Sequence, residues 1–314
     1  MADPTEGGTD VLYLGPLAPP LVALIAGLVI HSFIIGVNVS DWWRGRSVTP
    51  VDHIVTSLGI TRICTQSSDM LYMLMVSLSL DAQVPLVIMD VAYNFFTNAD
   101  ICFTTLLSIV YCLKISNLHT RLFLYLRRMI SHRTGRLIVA SILFCASNSL
   151  MTLLLFFLKV TNNGPHNTTT DDVSPDCICS KCIYNIATGT FLPLFFYSIS
   201  SVLLFVSLYH HTTRMKMSSN VSINLETYYS AMRSVSFTFI YNTVYFIAHF
   251  ISVLYLYFYC MELSWLYKII SFLPALHSSY LIYRTAKLRN EMFKVLQNFM
   301  NYLLQRTNAQ NSET

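Results

Sequence analysis

Seven apolar stretches recur along this 314-residue chain, and they constrain its fold more than any other feature. Each stretch has about the 20 mainly apolar residues that a helix needs to cross the hydrocarbon core of a bilayer. Only 11% of the residues are charged, against about 25% in ordinary soluble domains, so a water-soluble enzyme is excluded. The predicted spans are residues 17–38, 54–78, 84–113, 137–158, 186–209, 234–257 and 264–283.

The Lys and Arg residues predict the orientation of these spans. Most of them follow spans one, three, five and seven, whereas the N-terminal tail has none. Since cytoplasmic connections carry the excess of Lys and Arg, this asymmetry favours an odd number of spans. Segment 54–78 is therefore counted as span two, although polar residues interrupt it at 65–69. The predicted fold is an all-α membrane protein, a seven-transmembrane helix bundle with residues 1–16 as an extracellular tail.

The segment 284–314, after span seven, is predicted to be a cytoplasmic amphipathic helix and tail. Its apolar residues fall on one helical stripe, with basic residues between them, which is typical of a helix that lies on the cytoplasmic leaflet. The stripe consists of Leu288, Met292, Phe293, Leu296, Phe299, Met300 and Leu303.

The long connection 159–185 is predicted to be extracellular, and it contains an N-x-T sequon at Asn167 that we expect to be glycosylated. Four of the eight cysteines are predicted to face the oxidising exterior, where three pairings are possible. A zinc site with His166 is the alternative to a disulfide in this loop. The four disulfide candidates are Cys177, Cys179, Cys182 and Cys260.

Ionisable residues inside the spans indicate a functional site, because an unpaired charge at bilayer depth is costly. Arg62 in span two and Asp100 in span three are predicted to lie at similar depth and to form a buried ion pair. In the alternative, Arg62 bonds only backbone carbonyls and Asp100 is protonated. Candidate neighbours are Asn38, His277 and Ser278. Asp69 lies nearer the outside, where it could meet a cationic ligand or remain simply solvated or hydrogen-bonded.

A polar stripe along span three is predicted to face the bundle rather than lipid. It comprises Tyr93, Thr97, Asp100, Thr104, Ser108 and Tyr111. Elsewhere the sequence has no nucleophile–base set, no glycine-rich phosphate loop and no set of metal ligands. We therefore expect no enzyme activity, no cofactor and no nucleic-acid partner.

Four sequence blocks occur in order along the chain. They read FIIGVNVSDWWRGRSVTPVDHIVTSLGITRI at 33–63, LSIVYCLKISN at 107–117, SLYHHTTRM at 207–215, and HSSYLI at 277–282 followed by Lys287-Leu288-Arg289. Together they resemble the signatures of the bitter taste receptors (taste receptor type 2), from the first loop to the segment after span seven. The chain resembles a divergent member, because four positions depart from the usual residues of the family: Asp100, Cys102, Val110 and Tyr228.

The resemblance implies a plasma-membrane G-protein-coupled receptor that detects bitter-tasting small organic compounds in an outward-facing pocket. It implies a gustducin-type G protein as partner. Positions corresponding to ligand contacts are Met73, Tyr93, Thr97, Tyr245 and Tyr267, beside the candidate Asp69. The candidate activation network is Asn38, Arg62, Asp100, His277 and Ser278. Candidates for G-protein coupling are Tyr111, Lys114, His211 and Lys287.

Two alternatives remain at this stage. A vomeronasal type 1-like chemosensory receptor would share the architecture and the short tails, although the first-loop block and HSSYLI favour the taste family. A small-solute transporter would be expected to show paired half-repeats with interrupted helices at matching positions, and the sequence shows neither.

Overall fold

A computed structural model describes residues 17–78, 83–115, 121–162, 185–217, 222–259 and 263–312. Regular structure in these residues is entirely helical, which confirms the predicted fold class. The helices are α1 (Ala18–Trp43), α2 (Pro50–Ser77), α3 (Gln83–Ile115), α4 (Arg121–Asn162), α5 (Leu192–Met217), α6 (Ser222–Tyr259), α7 (Ser264–Arg284) and α8 (Ala286–Ser312), with a π-helical turn at Asn185–Phe191 directly before α5.

Each of the helices α1 to α7 overlaps one predicted span, and residues 186–191 at the predicted start of span five lie in the π-helical turn before α5. Among the described residues, five helices are long and apolar enough by themselves to cross a membrane, and α2 and α7 are not among them. The reason is their polar content, since α2 carries Arg62 and α7 carries His277 and Ser278. These side chains are buried against other helices. The polar face of each helix is turned into the bundle, so α2 and α7 need not be uniformly apolar.

Helix α3 is the central helix, and it packs against α2, α4 and α5. Its buried residues Phe103 and Leu107 join one apolar core with Ile34, Leu58 and Leu208 of the surrounding helices. Large apolar side chains are exposed on the outer surface of the bundle, among them Val29, Leu143, Leu150 and Ile240. Such a surface matches a bilayer, where apolar side chains face lipid tails.

Small residues bring α1 and α2 close together, as is common between membrane helices. A Cβ atom at Gly27 would overlap the side-chain amide of Gln66, and one at Gly59 would lie 3.2 Å from Cγ1 of Ile35. The Gln66 amide also reaches α7, where Nε2 donates to the carbonyl of Ser271 at 3.3 Å. These contacts fix the antiparallel register of α1 against α2.

The connection after span three is shorter than the sequence predicts. Helix α3 continues to Ile115, and α4 already begins at Arg121. A bend at Arg133, with φ −131° and ψ 20°, separates this first part of α4 from the part that spans the bundle.

Helix α8 follows α7 after the single residue Thr285. Leu288 is buried and Met292 packs against the core, so the beginning of α8 is docked on the bundle. Beyond it, Phe293, Leu296, Phe299, Met300 and Leu303 are 39–58% exposed. We call the end of the bundle next to α8 the inner end, because its basic residues predict that it faces the cytosol.

Candidate functional site

A charged pair lies in the middle of the bundle between α2 and α3. Arg62 Nε donates to Asp100 Oδ1 at 2.8 Å, and the two side chains are only 3% and 6% exposed. The predicted ion pair is therefore confirmed, and Arg62 does not rely on backbone carbonyls alone. In a low-dielectric site the carboxylate and guanidinium attract each other strongly, while each would be costly without the other.

Helix α7 supplies the remaining partners of the arginine. Arg62 Nη1 donates to Ser278 Oγ at 2.7 Å, lies 3.0 Å from His277 Nδ1 and is 3.4 Å from the carbonyl oxygen of Pro274. Because a guanidinium can only donate, Nδ1 of His277 must be the acceptor and the ring proton lies on Nε2. Arg62, Asp100, His277 and Ser278 are called the core cluster below, and they tie three helices together.

Aromatic residues of α6 pack beside the core cluster. The ring of Tyr241 stacks on His277, with centroids 4.9 Å apart and planes at 23°. Tyr245 is buried and lies within electrostatic range of Asp100 and Tyr93. Through these rings the core cluster reaches a fourth helix, so a shift of α6 would change its surroundings.

The sequence placed Asn38 beside Arg62, and this prediction is wrong. Asn38 lies nearer the inner end, where Nδ2 donates to Thr56 Oγ1 at 3.0 Å. The antiparallel register that pairs Gly27 with Gln66 instead brings His31 opposite Arg62. Asn38 is seven residues, or about 10 Å of helix, further along α1.

His31 is the residue that sequence reasoning missed on α1. It is completely buried and lies within electrostatic range of Arg62 and His277. A signal for it exists in the sequence, because His31 is the only ionisable residue in span 17–38. An intramembrane histidine is a candidate functional residue by the same argument that selects Arg62.

A second polar group lies at the inner end and involves α1, α2 and α8. Lys287 Nζ is 2.9 Å from Asp41 Oδ2 and 3.5 Å from Asp52 Oδ1, and it donates to Asn38 Oδ1 at 3.0 Å. These four residues are called the inner-end cluster. Arg46 adds a second ion pair to Asp41 at 2.9 Å. Lys287, predicted to contact a G protein, is thus engaged within the protein itself.

The beginning of α2 is held by a capping box. Asp52 N donates to Thr49 Oγ1 at 3.2 Å, and Thr49 N donates to Asp52 Oδ2 at 3.0 Å. This reciprocal arrangement satisfies backbone donors that a helix start leaves free. It also orients the Asp52 carboxylate, whose other oxygen faces Lys287.

The candidate ligand residues lie outward from the core cluster. Thr97 and Tyr245 are buried, whereas Asp69, Met73 and Tyr93 are half-buried. Because α3 runs towards the inner end, Thr97 lies about one turn outside Asp100. Tyr267 belongs to the first turn of α7, but its side chain is outside the described residues. The positions Asn167, Cys177, Cys179, Cys182 and Cys260 also fall outside them.

A cavity opens at the inner end between α3, α5, α6 and α7. It contains about 970 Å³ of space, counting the part open to solvent, and its lining includes Tyr111, Ser201, Asn242, His277 and Arg284. His277 therefore borders this cavity and also contacts Arg62.

Two further candidates for G-protein coupling belong to the inner parts of α3 and α5, two of the helices that line this cavity. Lys114 is exposed in the last turn of α3. His211 lies in the inner part of α5, and its side chain is outside the described residues.

The chain is thus a helical membrane bundle with a polar cluster in its middle and a cavity at its inner end. The sequence model of the taste receptor proteins (TAS2R) matches residues 20–300. Taste receptor type 2 member 62 of Pan paniscus is 26% identical over 84% of this chain and 86% of its own length. Member 125 of Rattus norvegicus is 28% identical over 88% and 91%. The chain belongs to the taste receptor family, TAS2R.

This membership decides between the interpretations that the sequence left open. The protein is a multi-pass membrane receptor of a family of G-protein-coupled receptors for bitter taste, and that family is not one of enzymes. Small-molecule ligands and G-protein coupling are general features of the family. The match runs through both polar clusters and favours the taste family over a vomeronasal receptor or a transporter.

Proposed function

We propose that this protein detects bitter-tasting small organic compounds at the plasma membrane and activates a gustducin-type G protein. The observation that carries the proposal is the family match, which extends over residues 20–300 and includes the core cluster and the inner-end cluster. Relatives from several mammals carry the name taste receptor type 2 and align with most of this chain.

The proposed ligand site lies between the core cluster and the outside. It comprises Asp69, Met73, Tyr93, Thr97, Tyr245 and Tyr267. Thr97 and Tyr245 support the assignment, because they are buried beside the central helix at a level just outside Asp100. Phenol rings, a hydroxyl and a thioether suit apolar organic molecules that carry a few polar groups. Asp69 would add affinity for compounds with a cationic group.

The proposed mechanism is a shift of population between two arrangements of the bundle. A ligand that binds one arrangement more tightly favours it by that difference in affinity. The core cluster is the proposed two-state element, since Arg62 bonds α3 and α7 while Tyr241 brings in α6. The cavity at the inner end would receive the G protein, with Tyr111 in its lining and Lys114 and His211 as further candidate contacts.

The proposal is tested by expressing the full chain with a promiscuous G protein and screening bitter compounds by calcium response. We expect responses to some compounds, and we expect Tyr245→Ala to raise their half-maximal concentrations at least tenfold, because a buried ring is lost from the site. Phe258→Ala, at an exposed position of the same helix, is the matched control. Well-expressed surface protein that stays silent to the whole set would overturn the receptor proposal.

A further inference from the structure

Lys287 is surrounded by oxygen atoms of other residues of the protein. An ammonium group carries three N–H donors and no acceptor. Its nitrogen has three oxygen neighbours, on Asp41, Asn38 and Asp52, at 2.9, 3.0 and 3.5 Å. The side chain is 31% exposed, so water reaches it only partly. Its charge is therefore directed towards groups of the receptor itself.

Lys287 lies at the start of α8, so its contacts influence the direction of that helix. Thr285 is the only residue between α7 and α8, and its ψ of 109° breaks the helix there. A link of one residue fixes where α8 begins, while the direction of α8 depends on what its first turn contacts. Lys287 is the second residue of α8, and its partners belong to the end of α1 and the beginning of α2.

We propose that Lys287 is a positioning residue that fixes α8 against the connection between α1 and α2, and thereby the inner surface that meets the G protein. Leu288 supplies the apolar part of this anchor through its buried side chain. The effect on coupling rests on the proposed function, whereas the anchoring of α8 does not. Asp41 and Asp52 act as its two counter-charges, and the capping box with Thr49 holds the second of them in place.

The anchor is tested by hydrogen exchange on the purified full-length protein in lipid nanodiscs, which needs no agonist. Lys287→Ala should speed exchange of amides 288–292 about fivefold, because the ion pairs that oppose local opening are lost. Lys294→Ala is the matched control. Lys294 lies on the same helix, is 64% exposed and pairs with Glu291 at 2.7 Å. Their hydrogen bond lowers the pKa of the Glu291 carboxyl without joining α8 to the bundle.

A conservative change and a charge reversal separate positioning from general damage to the fold. Lys287→Arg keeps a positive charge beside Asp41 and Asp52 and should keep the slow exchange of α8. Lys287→Asp places a third carboxylate beside those two and should exchange faster than Lys287→Ala. Equal exchange in wild type and Lys287→Ala, or exchange in Lys287→Arg as fast as in Lys287→Ala, would overturn the anchor.

The coupling part is measured as the calcium response to a compound that activates the wild type. Lys287→Ala should lower the maximal response about fivefold at equal surface amount. The half-maximal concentration should stay within twofold, since the ligand site is distant. An unchanged maximum together with fast α8 exchange would refute the effect on coupling while leaving the anchor intact. A silent wild type refutes the proposed function, and the exchange result still decides on the anchor.

Discussion

The core cluster and the inner-end cluster are built from the same chemistry in different surroundings. In each, one cationic side chain joins three helices through carboxylate and neutral acceptors. Arg62 and Asp100 are almost completely buried, whereas Lys287 and its two aspartates are reached by water. The charges of the core cluster are excluded from water, so each depends on its partner in the protein. The ion pairs of the inner-end cluster can separate at lower cost, because water can solvate the separated charges.

This difference assigns the two clusters different roles. Breaking a buried pair by removing one partner strands a charge in a low dielectric, while an exposed pair contributes little by itself. We therefore expect that loss of one partner in the core cluster strongly destabilises the bundle, and that rearrangements of the bundle keep Arg62 paired. The inner-end cluster adds less stability, but it can position α8.

The largest expected effect follows from Asp100→Ala, which leaves the buried guanidinium without its carboxylate. We expect a loss of about 3–5 kcal/mol in the free energy of unfolding. The corresponding loss of folded receptor is measured as the surface fraction in cells and as the thermal stability of the purified protein.

A double-mutant cycle with Arg62→Met sharpens this test. Removing both charges should cost less than the sum of the two single changes, because no unpaired charge remains. Additive losses would show that the two side chains do not depend on each other and would contradict the role given to the pair.

A smaller effect is expected for Ser278→Ala in the same cluster. The hydroxyl accepts a 2.7 Å hydrogen bond from Arg62, and a bond to a charged group contributes about 1.5–3 kcal/mol. Thermal stability should fall by less than in Asp100→Ala. Ser279→Ala is the control, because that hydroxyl bonds only to the carbonyl of Ala275 in its own helix. Equal effects of the two changes would argue against the bond to Arg62.

Thr49→Ala probes the inner-end cluster through the capping box. Loss of the side-chain cap should cost about 1 kcal/mol and free the first turn of α2. Hydrogen exchange of amides 51–54 should quicken, and Asp52 should hold Lys287 less well. Thr49→Ser keeps the hydroxyl and should behave as wild type. If Thr49→Ala leaves exchange at α8 unchanged, the cap does not support the anchor.

The smallest effect is that of salt. The Debye length falls from about 10 Å at 0.1 M to about 3 Å at 1 M, which weakens exposed ion pairs and hardly affects buried ones. The exchange rate of the α8 amides should rise up to about twofold over this range. This rise corresponds to the few tenths of a kcal/mol that an exposed ion pair contributes. Exchange of α2 amides around Arg62 should not change. A similar rise at both places would remove the distinction between the clusters.

Asn38 and His31 show how far the sequence leads towards the site. Composition selects Arg62 and Asp100, because charges inside apolar spans are rare and must find partners, and helical rise places them at one depth. The same count of helical rise puts Asn38 at a different depth from Arg62, because Asn38 lies close to the inner end of α1. Only the close approach at Gly27 and Gly59 fixes the register that puts His31 there.

The capping box at Thr49 could likewise be read from the sequence Thr-Pro-Val-Asp, which carries an acidic residue three positions after a cap. The contact between Asp52 and Lys287 could not be read from the sequence. More than two hundred residues separate Asp52 from Lys287, and no local pattern connects them. The packing of α8 against α1 creates that contact.

The amino-acid sequence is sufficient to identify this protein as a seven-helix membrane receptor of the taste family. Apolar length and the placement of basic residues are local properties, so each segment meets the bilayer according to its own composition. The packing of the helices sets which polar groups meet: His31 lies beside Arg62, and Lys287 contacts Asn38, Asp41 and Asp52 within the receptor. These contacts depend on the register of α1 against α2 and on the direction of α8, which only the packing of several helices at once can fix.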